Sequence, residues 1–364
     1  MKRRSQLPVV LAITAIAASA LMTSPGVSAQ ADAPQNGRVA FARNPDSGGL
    51  FTMNPDGTGL VSLGHGEYTQ FSPDGTRVSF ACENGDHIAV CLSGADDSNV
   101  QQITPDTTGL ARPPVDFYPT GWSPDGQRLL IDAGAGLSTR SAGIYTMRPD
   151  GSDLTRLTST PTEQIPFGYS PDGRKILYLQ PNDEFSGDLY VIDADGTDPT
   201  RINPRGTTVR CCLPPEAEWS PDSQSVVFAA FDKINQWGNG IAIYIADADG
   251  SDLRRLTAAG NVSQQPRWSP DGRWIAYQKA GGFGYPKIVL VRPDGSGRHD
   301  LTLPSDGFGG GMVWSPDSQR LMIAYGERPT FQFDIWTVRR DGTDLTQLTD
   351  TRAFDEPLDW GVAP

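Results

Sequence analysis

Short apolar segments recur along this chain, and each follows a polar turn that contains proline and aspartate. One such segment spans 274–277 and follows the turn 269–272, Ser-Pro-Asp-Gly. In such a turn proline presets φ at the second position, and glycine accepts the left-handed conformation. Nearly continuous apolar runs between turns predict β-strands that are buried on both faces. The pattern therefore predicts an all-β protein of short strands and tight turns.

The turn belongs to a longer motif, aromatic-Ser-Pro-Asp, which occurs six times at intervals of 46 to 51 residues. Trp360 stands 46 residues after the last copy and begins a seventh repeat. A period of this length, with strand-like segments inside each copy, is typical of a β-propeller with four-stranded blades. The six copies begin at Phe71, Trp122, Tyr169, Trp219, Trp268 and Trp314.

The two ends of the repeat region complement one another. The repeat region begins at 37–41 with a segment that corresponds to the second strand of a blade. It ends around Trp360 with a segment that corresponds to a first strand. Pairing these two strands would complete one blade and hide the edges that an open ring exposes. We therefore predict an all-β, seven-bladed β-propeller of four-stranded antiparallel blades, whose ring is closed by the C-terminal strand completing the N-terminal blade.

The order Trp-Ser-Pro-Asp-Gly, apolar strand, Ile-Tyr, Asp-Gly, Leu-Thr resembles the TolB-type, WD-repeat-like propeller repeat over residues 37–360. The resemblance implies a propeller that serves as a binding scaffold or as an accessory domain of an enzyme. Ser223 and Ser318 depart from the repeat, because they replace the turn glycine. The TolB type of protein itself has a six-bladed propeller and an additional N-terminal α/β domain, for which we expect no counterpart here, so the resemblance concerns the propeller.

The first 29 residues predict a signal peptide. Lys2, Arg3 and Arg4 precede an apolar stretch at 7–22, and small residues lead up to Ala29. We expect residues 30–36 to be a disordered lead and 37–364 to be a single propeller domain. No later stretch is apolar enough to span a bilayer. The sequence thus predicts an exported monomer, extracellular or periplasmic, without membrane insertion.

The net charge of −13 narrows the class of partner. An acidic surface repels nucleic-acid phosphates, and no basic run compensates locally. We therefore expect no nucleic-acid partner and a protein, peptide or glycan instead.

Link lengths separate the two faces of the predicted propeller. Links from first to second and from third to fourth strand are short and alike, whereas the others, such as 107–120 and 205–218, are long and varied. Varied loops that carry aromatic, acidic and amide side chains suit peptide or carbohydrate binding. On this long-loop face the candidate ligand-binding residues are Asp116, Phe117, Tyr118, Glu163, Phe185, Trp237, Gln265, Phe283, Tyr285, Phe331 and Glu356.

No catalytic residue is assigned from the sequence. Ser-Pro-Asp-Gly opens a β-turn and is not a nucleophile elbow, and the α/β-hydrolase domain of prolyl oligopeptidases has no counterpart here. The alternative function is a glycan-active lyase or hydrolase that uses acids on the long-loop face. An acidic pair with raised pKa in the channel mouth would favour that alternative.

Two groups of residues offer oxygen or nitrogen ligands for a metal ion. His65 and His87, with Glu67 or Asp86, offer ligands of the kind found in some propeller-fold pectate-degrading lyases, but two solvated loop histidines are the simpler interpretation. The turn 193–196, Asp-Ala-Asp-Gly, resembles the start of a calcium loop and lacks the following glutamate. We therefore expect no metal and no cofactor.

Four cysteines suit an exported protein. Cys82 and Cys91 flank a predicted hairpin in adjoining strands, and we expect them to form a disulfide. Cys211 and Cys212 are neighbours in a long loop. They could form a strained ring, bridge to another chain or stay reduced.

Overall fold

A computed structural model describes residues 34–44, 49–97, 99–103, 105, 116–135, 138–158, 163–182, 186–210, 216–235, 238–258, 262–281, 284–303, 308–326 and 332–364. The side chains at 134–142, 232–239, 281–285 and 308–309 are not described. Residues 34–364 form one unit. The predicted signal peptide and Cys211 and Cys212 lie outside the described residues.

The described part of the chain consists of β-strands and their connections, which confirms the all-β prediction. The first strands are β1 Asn36–Arg43, β2 Leu50–Met53, β3 Val61–Gly64, β4 Glu67–Phe71, β5 Arg77–Asn84, β6 His87–Gly94, β7 Gln101–Ile103, β8 Asp116–Trp122, β9 Leu129–Ala135, β10 Ser138–Met147, β11 Thr155–Arg156, β12 Ile165–Tyr169, β13 Lys175–Pro181, β14 Ser186–Asp193 and β15 Thr200–Arg201. They are followed by β16 Thr208–Arg210, β17 Ala217–Trp219, β18 Ser225–Asn235, β19 Gly238–Asp247, β20 Arg254–Arg255, β21 Ser263–Trp268, β22 Ile275–Gly281, β23 Gly284–Val291, β24 His299–Asp300, β25 Phe308–Trp314, β26 Arg320–Tyr325, β27 Asp334–Arg339, β28 Thr346–Gln347 and β29 Asp355–Val362.

The strands form five four-stranded sheets and one nine-stranded sheet, all of them antiparallel. In the nine-stranded sheet the short strand β16 pairs with both β14 and β18 and thereby joins two four-stranded groups. We interpret these groups as separate blades. The blades are then numbered 1 (β29, β1–β3), 2 (β4–β7), 3 (β8–β11), 4 (β12–β15), 5 (β17–β20), 6 (β21–β24) and 7 (β25–β28).

The innermost strands make a closed cycle. Each contacts the innermost strand of the next blade, in the order β29, β4, β8, β12, β17, β21, β25, and β25 contacts β29 again. The prediction that the C-terminal strand closes the ring is confirmed, because β29 pairs with β1 from Arg43↔Asp355 to Asn36↔Val362. The buried Trp360 packs with Val39 and Phe41 of the same blade and with Met322 of blade 7.

Apolar side chains seal the blades against one another. Leu130 and Ile144 of blade 3 share one buried cluster with Ile176 and Tyr178 of blade 4. The second and third strands are covered on both faces, which is why their sequences are almost continuously apolar. The core therefore lies between blades as well as within them.

The Ser-Pro-Asp turns are held by their own side chains. In blade 6 the Ser269 hydroxyl donates to Asp271 Oδ1 at 2.6 Å and accepts from the backbone N of Trp274 at 2.9 Å. The two serines that replace the turn glycine keep its positive φ, at 63° and 62°. Their hydroxyls accept hydrogen bonds from the preceding turns, as Ser318 Oγ does from the backbone N of Asp271 at 2.9 Å. Both departures from the repeat thus link neighbouring turns.

Candidate functional site

Half-buried carboxylates connect neighbouring innermost strands of the ring. Glu218 Oε2 accepts a hydrogen bond from the backbone N of Trp268 at 2.7 Å, and Asp359 Oδ2 accepts one from the backbone N of Phe71 at 2.8 Å. Burial raises the pKa of Glu218 to about 7 and that of Asp359 to about 6. The Asp359 charge contributes to the raised pKa of Glu218, although β17 and β29 lie on opposite sides of the cycle. The two carboxylates are therefore close enough for the charge of Asp359 to affect the pKa of Glu218.

A second group of acids surrounds a pair of tyrosines where the innermost strands begin. The rings of Tyr68 and Tyr118 lie 5.2 Å apart between centroids and are tilted by 56°. Burial raises the pKa of the Tyr118 hydroxyl, and the charges of Asp116, Asp132 and Glu67 raise it further. Asp132 is the partner of Tyr118 in the register between β8 and β9. The strands β4 and β8 each begin directly after a link between two blades. Because these links belong to the long-loop face, the tyrosines and acids at the start of the two strands lie on that face.

Asp132 has the character of a weak acid. Its pKa is raised to about 7, chiefly by burial and then by the charge of Glu163 from the neighbouring blade. A carboxyl group with this pKa is partly protonated at neutral pH and can donate a proton or a hydrogen bond. We refer to Glu67, Tyr68, Asp116, Tyr118, Asp132 and Glu163 as the Tyr118 cluster.

Two further polar groups lie between blades 3 and 4. Gln164, next to Glu163, is buried, and its Oε1 has no hydrogen-bond partner among the described residues. Its side chain hydrogen-bonds the hydroxyl of Tyr178, whose pKa burial raises to about 12. Asp132 and Leu130 point to the same side of β9 because they are two residues apart, and Leu130 packs with Tyr178. The edge of the Tyr118 cluster toward blade 4 is therefore polar, with Gln164 buried and Glu163 exposed.

The backbone at Tyr68 is unusual for a large side chain. Tyr68 has a φ of 54°, and the register between β4 and β5 shifts between Glu67 and Gln70. Such a bulge re-aims a side chain, and a non-glycine residue in this region is strained. Gln265 in β21 has a φ of 52° and a similar bulge. Gln265 and Tyr68 each lie three residues before the aromatic residue that begins the Ser-Pro-Asp motif of their blade. The strained conformation thus recurs at the same place in two blades.

The structure brings together three of the residues predicted for ligand binding. Asp116, Tyr118 and Glu163 all belong to the Tyr118 cluster. Asp116 is buried, and its Oδ1 accepts a hydrogen bond from the backbone N of Ile88 at 3.0 Å, so it also links blades 2 and 3. Phe117 is buried in the core of these blades, and its ring is occupied by packing.

The other predicted residues lie elsewhere or outside the described part. The backbone N of Gln265 donates to Glu216 Oε2 at 2.7 Å between blades 5 and 6, and Glu356 is half-buried in β29. The remaining predicted residues Phe185, Trp237, Phe283 and Phe331, and the side chain of Tyr285, lie outside the described residues.

Sequence reasoning missed Tyr68 and Asp132. Asp132 interrupts the apolar run 129–133 of a second strand that is otherwise covered on both faces. A carboxylate at such a position needs a special environment, and that signal was present in the sequence. Tyr68 carried no comparable signal, because its conformation arises from a bulge that the repeat pattern does not encode.

Of the two histidines considered as metal ligands, His87 contacts a carboxylate. His87 Nδ1 lies 3.5 Å from Asp116 Oδ1. In the described part of the chain, no three histidine, cysteine, aspartate or glutamate residues are grouped so that they could hold a metal ion. Nor does that part contain a helix with the length and apolar character needed to cross a bilayer.

Cys82 and Cys91 are joined by a disulfide in the structure, with their Cα atoms 5.8 Å apart. They lie on adjacent strands of blade 2, where Cys82 opposes Ala89 and Cys91 opposes Phe80. Both side chains are buried. The bridge therefore staples the hairpin of β5 and β6 whose loop leads to His87.

Comparison with known proteins identifies the repeat. No family model matches the chain. The Tol-Pal system protein TolB of Anaeromyxobacter sp. (strain K) is 29% identical over 117 residues, which cover 31% of this chain and 25% of the relative. TolB of Acinetobacter baumannii superposes with a TM-score of 0.52 at 17% identity and covers 89% of this chain and 66% of that structure. The chain has TolB-type propeller repeats.

The same fold also occurs in enzymes. An oligogalacturonate lyase in complex with manganese superposes with a TM-score of 0.58 at 14% identity, over 86% of this chain and 85% of that structure. At this identity the likeness concerns the fold. The TolB-type match spans about a quarter of the length of the curated relative, so the repeat is what the two chains share.

Proposed function

We propose that this protein is an exported, non-catalytic propeller scaffold that binds a protein, peptide or envelope glycan on its long-loop face. The observation that carries the proposal is the tilted pair of Tyr68 and Tyr118 among four carboxylates where the innermost strands β4 and β8 begin. The predicted signal peptide at 1–29 supports export, and the predicted boundaries make 37–364 the binding domain.

The chemistry of the Tyr118 cluster favours a ligand with basic side chains. Tyrosine rings offer flat, amphipathic contact area at a low cost in conformational entropy. Carboxylates attract lysine and arginine and accept hydrogen bonds from them. Among the proposed ligands, a protein or peptide therefore fits better than a neutral glycan. The relatives are named as Tol-Pal system proteins, which supports a role beside other proteins.

Capture of a partner tests the proposal. The tagged mature protein is incubated with an envelope extract of the producing organism, in parallel with the Tyr118→Ala and Asp150→Ala variants. Asp150 serves as the control because it lies in a short turn and accepts hydrogen bonds from Ser152. We expect the wild type and Asp150→Ala to retain the same partner and Tyr118→Ala to lose it. Equal capture by all three proteins would contradict the assignment of the face.

Asp132 favours a second candidate function, a glycan-active lyase or hydrolase. A carboxyl group with a pKa of about 7 beside a second carboxylate, Glu163, is the arrangement that general acid–base catalysis requires. The oligogalacturonate lyase among the structural neighbours suggests acidic oligosaccharides as one substrate class to test. We rank this function second because the four carboxylates of the cluster repel a uronate chain.

An activity assay separates the two candidates. Neutral and uronate oligosaccharides are incubated with the wild type and with Asp132→Asn, which keeps the shape of the side chain and removes its proton. Turnover by the wild type that Asp132→Asn abolishes would establish the enzyme. No turnover of either class, together with partner capture, supports the scaffold.

A further inference from the structure

A second candidate site lies on the short-turn side of blade 6, away from the Tyr118 cluster. A pocket of about 590 Å³ is lined there by Arg273, Trp274, Arg292, Pro293, Asp294 and Arg340. Three of its six lining residues are arginines, although the whole chain has a net charge of −13. The concentration of guanidinium groups in one pocket of an acidic protein calls for a physical explanation.

The repeats provide an internal comparison for Arg292. In blades 3 and 7 an arginine at the same position, the end of the third strand, pairs with an aspartate five residues later. Arg148 Nε lies 4.0 Å from Asp153 Oδ2, and Arg339 Nε lies 3.5 Å from Asp344 Oδ2. In blade 6 the residue five positions after Arg292 is Gly297. Blade 6 thus keeps the arginine and lacks the carboxylate that neutralises it in the other two blades.

The second strand of blade 6 differs in a matching way. At the start of the second strand, blade 3 has Arg128, which pairs with Asp153, and blade 7 has Arg320, which pairs with Asp344. Blade 6 has Trp274 at this position. The guanidinium of Arg292 lies 5.3 Å from the centroid of the Trp274 ring. A cation held over an aromatic face remains charged and keeps its N–H groups available at its edge. The tryptophan thus orients the arginine without neutralising it.

Two carboxylates near the pocket, Asp271 and Asp294, offset only part of the charge of its three arginines. Asp294 Oδ1 accepts a hydrogen bond from the backbone N of Ser296 at 2.8 Å, and its lowered pKa is due chiefly to Ser296 and only then to Arg292. Asp271 Oδ2 lies 3.7 Å from Arg340 Nη1, and that buried nitrogen has no hydrogen-bond partner among the described residues. The pocket therefore retains an excess of positive charge.

We propose that this pocket binds an anionic group, a carboxylate or phosphate, of a small ligand. Arg292 and Arg340 supply charge-assisted hydrogen bonds, Arg273 adds a third positive charge, and the Trp274 ring packs against the Arg292 guanidinium. Guanidinium forks match the geometry of both oxyanions. The site shares no residue with the Tyr118 cluster, and its existence does not depend on the function proposed for that cluster.

Gly297 offers a sharp test, because an aspartate there restores the internal partner of Arg292. Gly297 has a φ of 65°, close to the 57° of Asp153 and the 54° of Asp344, so an aspartate fits this backbone. A Cβ atom at 297 would lie 3.2 Å from Arg292 Nε and 3.4 Å from Trp274 Cη2, so the Arg292 side chain must shift slightly and the new carboxylate lies beside the guanidinium. Gly297→Asn has nearly the same shape without the charge and is the matched control.

Binding of inorganic phosphate and of citrate is measured by titration calorimetry at low ionic strength, and each variant is checked for folding by thermal melting. We expect at least one of the two anions to bind the wild type and Gly297→Asn with similar affinity. Gly297→Asp should bind it about 10- to 100-fold more weakly, as expected for the loss of a hydrogen bond to a charged group. Preference for phosphate or citrate identifies the oxyanion.

Arg292→Gln provides a second route to the same loss without a change at Gly297. The proposal is overturned if neither anion binds the wild type. It is also overturned if Gly297→Asp binds as tightly as Gly297→Asn, or if Gly297→Asn loses as much affinity as Gly297→Asp. Undiminished binding by a folded Arg292→Gln variant has the same consequence.

Discussion

Replacing Asp355 with alanine should destabilise the whole ring, because this side chain joins the two ends of the chain. Arg43 Nε lies 2.8 Å from Asp355 Oδ1, and Arg43 Nη2 lies 3.1 Å from Oδ2, so the pair is bidentate. The Asp355 carboxylate is fully buried, and the guanidinium lies 4.9 Å from the centroid of the Phe51 ring. The hydrogen bond to Asp355 is the largest cause of the raised pKa of Arg43. The pair connects β1 to β29, the strand that closes the ring.

The magnitude follows from burial. Removing one partner of a buried ion pair costs about 3–5 kcal/mol, since the other charge stays desolvated. The Arg43 side chain is 22% exposed and can recover some hydration, so we expect a loss near the lower end, about 3 kcal/mol. The Lys175–Asp193 pair is a matched control, because its 2.7 Å distance is similar while its side chains are 39% and 38% exposed. Asp193→Ala should cost less than about 1 kcal/mol.

Urea unfolding followed by tryptophan fluorescence measures both variants against the wild type at constant ionic strength. A loss in Asp355→Ala no larger than that in Asp193→Ala would refute the reasoning. Deleting residues 355–364 is the stronger perturbation, because it also removes the buried Trp360. The truncated protein should lose cooperative unfolding and self-associate through the exposed edge of β1. Light scattering that shows a stable monomer would contradict this account of ring closure.

Three further predictions concern single sites. Replacing Glu218 with glutamine should remove part of the fall in stability between about pH 4 and 7, measured by urea unfolding at each pH. Reduction of the Cys82–Cys91 bridge should cost roughly 2–3 kcal/mol in the chain-entropy model, and free thiols at both positions in the unreduced mature protein would refute the pairing. Tyr118→Ala should weaken partner binding with little effect on the melting temperature, whereas Asp150→Ala should lower the melting temperature and spare affinity; the opposite result would place the ligand on the other face.

The pH prediction depends on the sign of one pKa shift. Because the pKa of Glu218 is raised to about 7, the folded state holds this proton more tightly than the unfolded chain, whose glutamates titrate near 4.3. The resulting stability is fully present below the unfolded pKa and is lost as the pH rises through 7. Each unit of raised pKa corresponds to about 1.4 kcal/mol at most. The exposed Glu83 is the control, and an equal change in Glu83→Gln would contradict the assignment to Glu218.

Much of the fold could be predicted because the repeat encodes its own turns. Each Ser-Pro-Asp segment fixes a hairpin locally, and the buried Trp360 shows that the last copy of the motif continues the same pattern across the ring closure. The joining strand β16, Thr208–Arg210, could not be predicted. It lies in a link between blades, where pairing depends on the edges that tertiary packing places beside it and not on a local pattern.

The candidate site was predictable only in part. Loop composition pointed to Asp116, Tyr118 and Glu163, because acids and aromatics in varied links are typical of binding faces. The pKa of Asp132 depends on burial and on Glu163 from another blade, which one strand's sequence cannot show. The substitution by Gly297 is visible when the repeats are aligned. Only the structure shows that Arg292 packs against Trp274 where other blades pair the arginine with an aspartate.

Photo-crosslinking at Tyr118 tests the central claim most directly. A photoreactive amino acid replaces Tyr118 in one strain of the producing organism and Asp150 in another, and intact cells are illuminated. The account predicts a discrete crosslinked adduct from position 118 on the long-loop face and none from position 150 on the short-turn side. An adduct from position 150 with none from position 118 would contradict it.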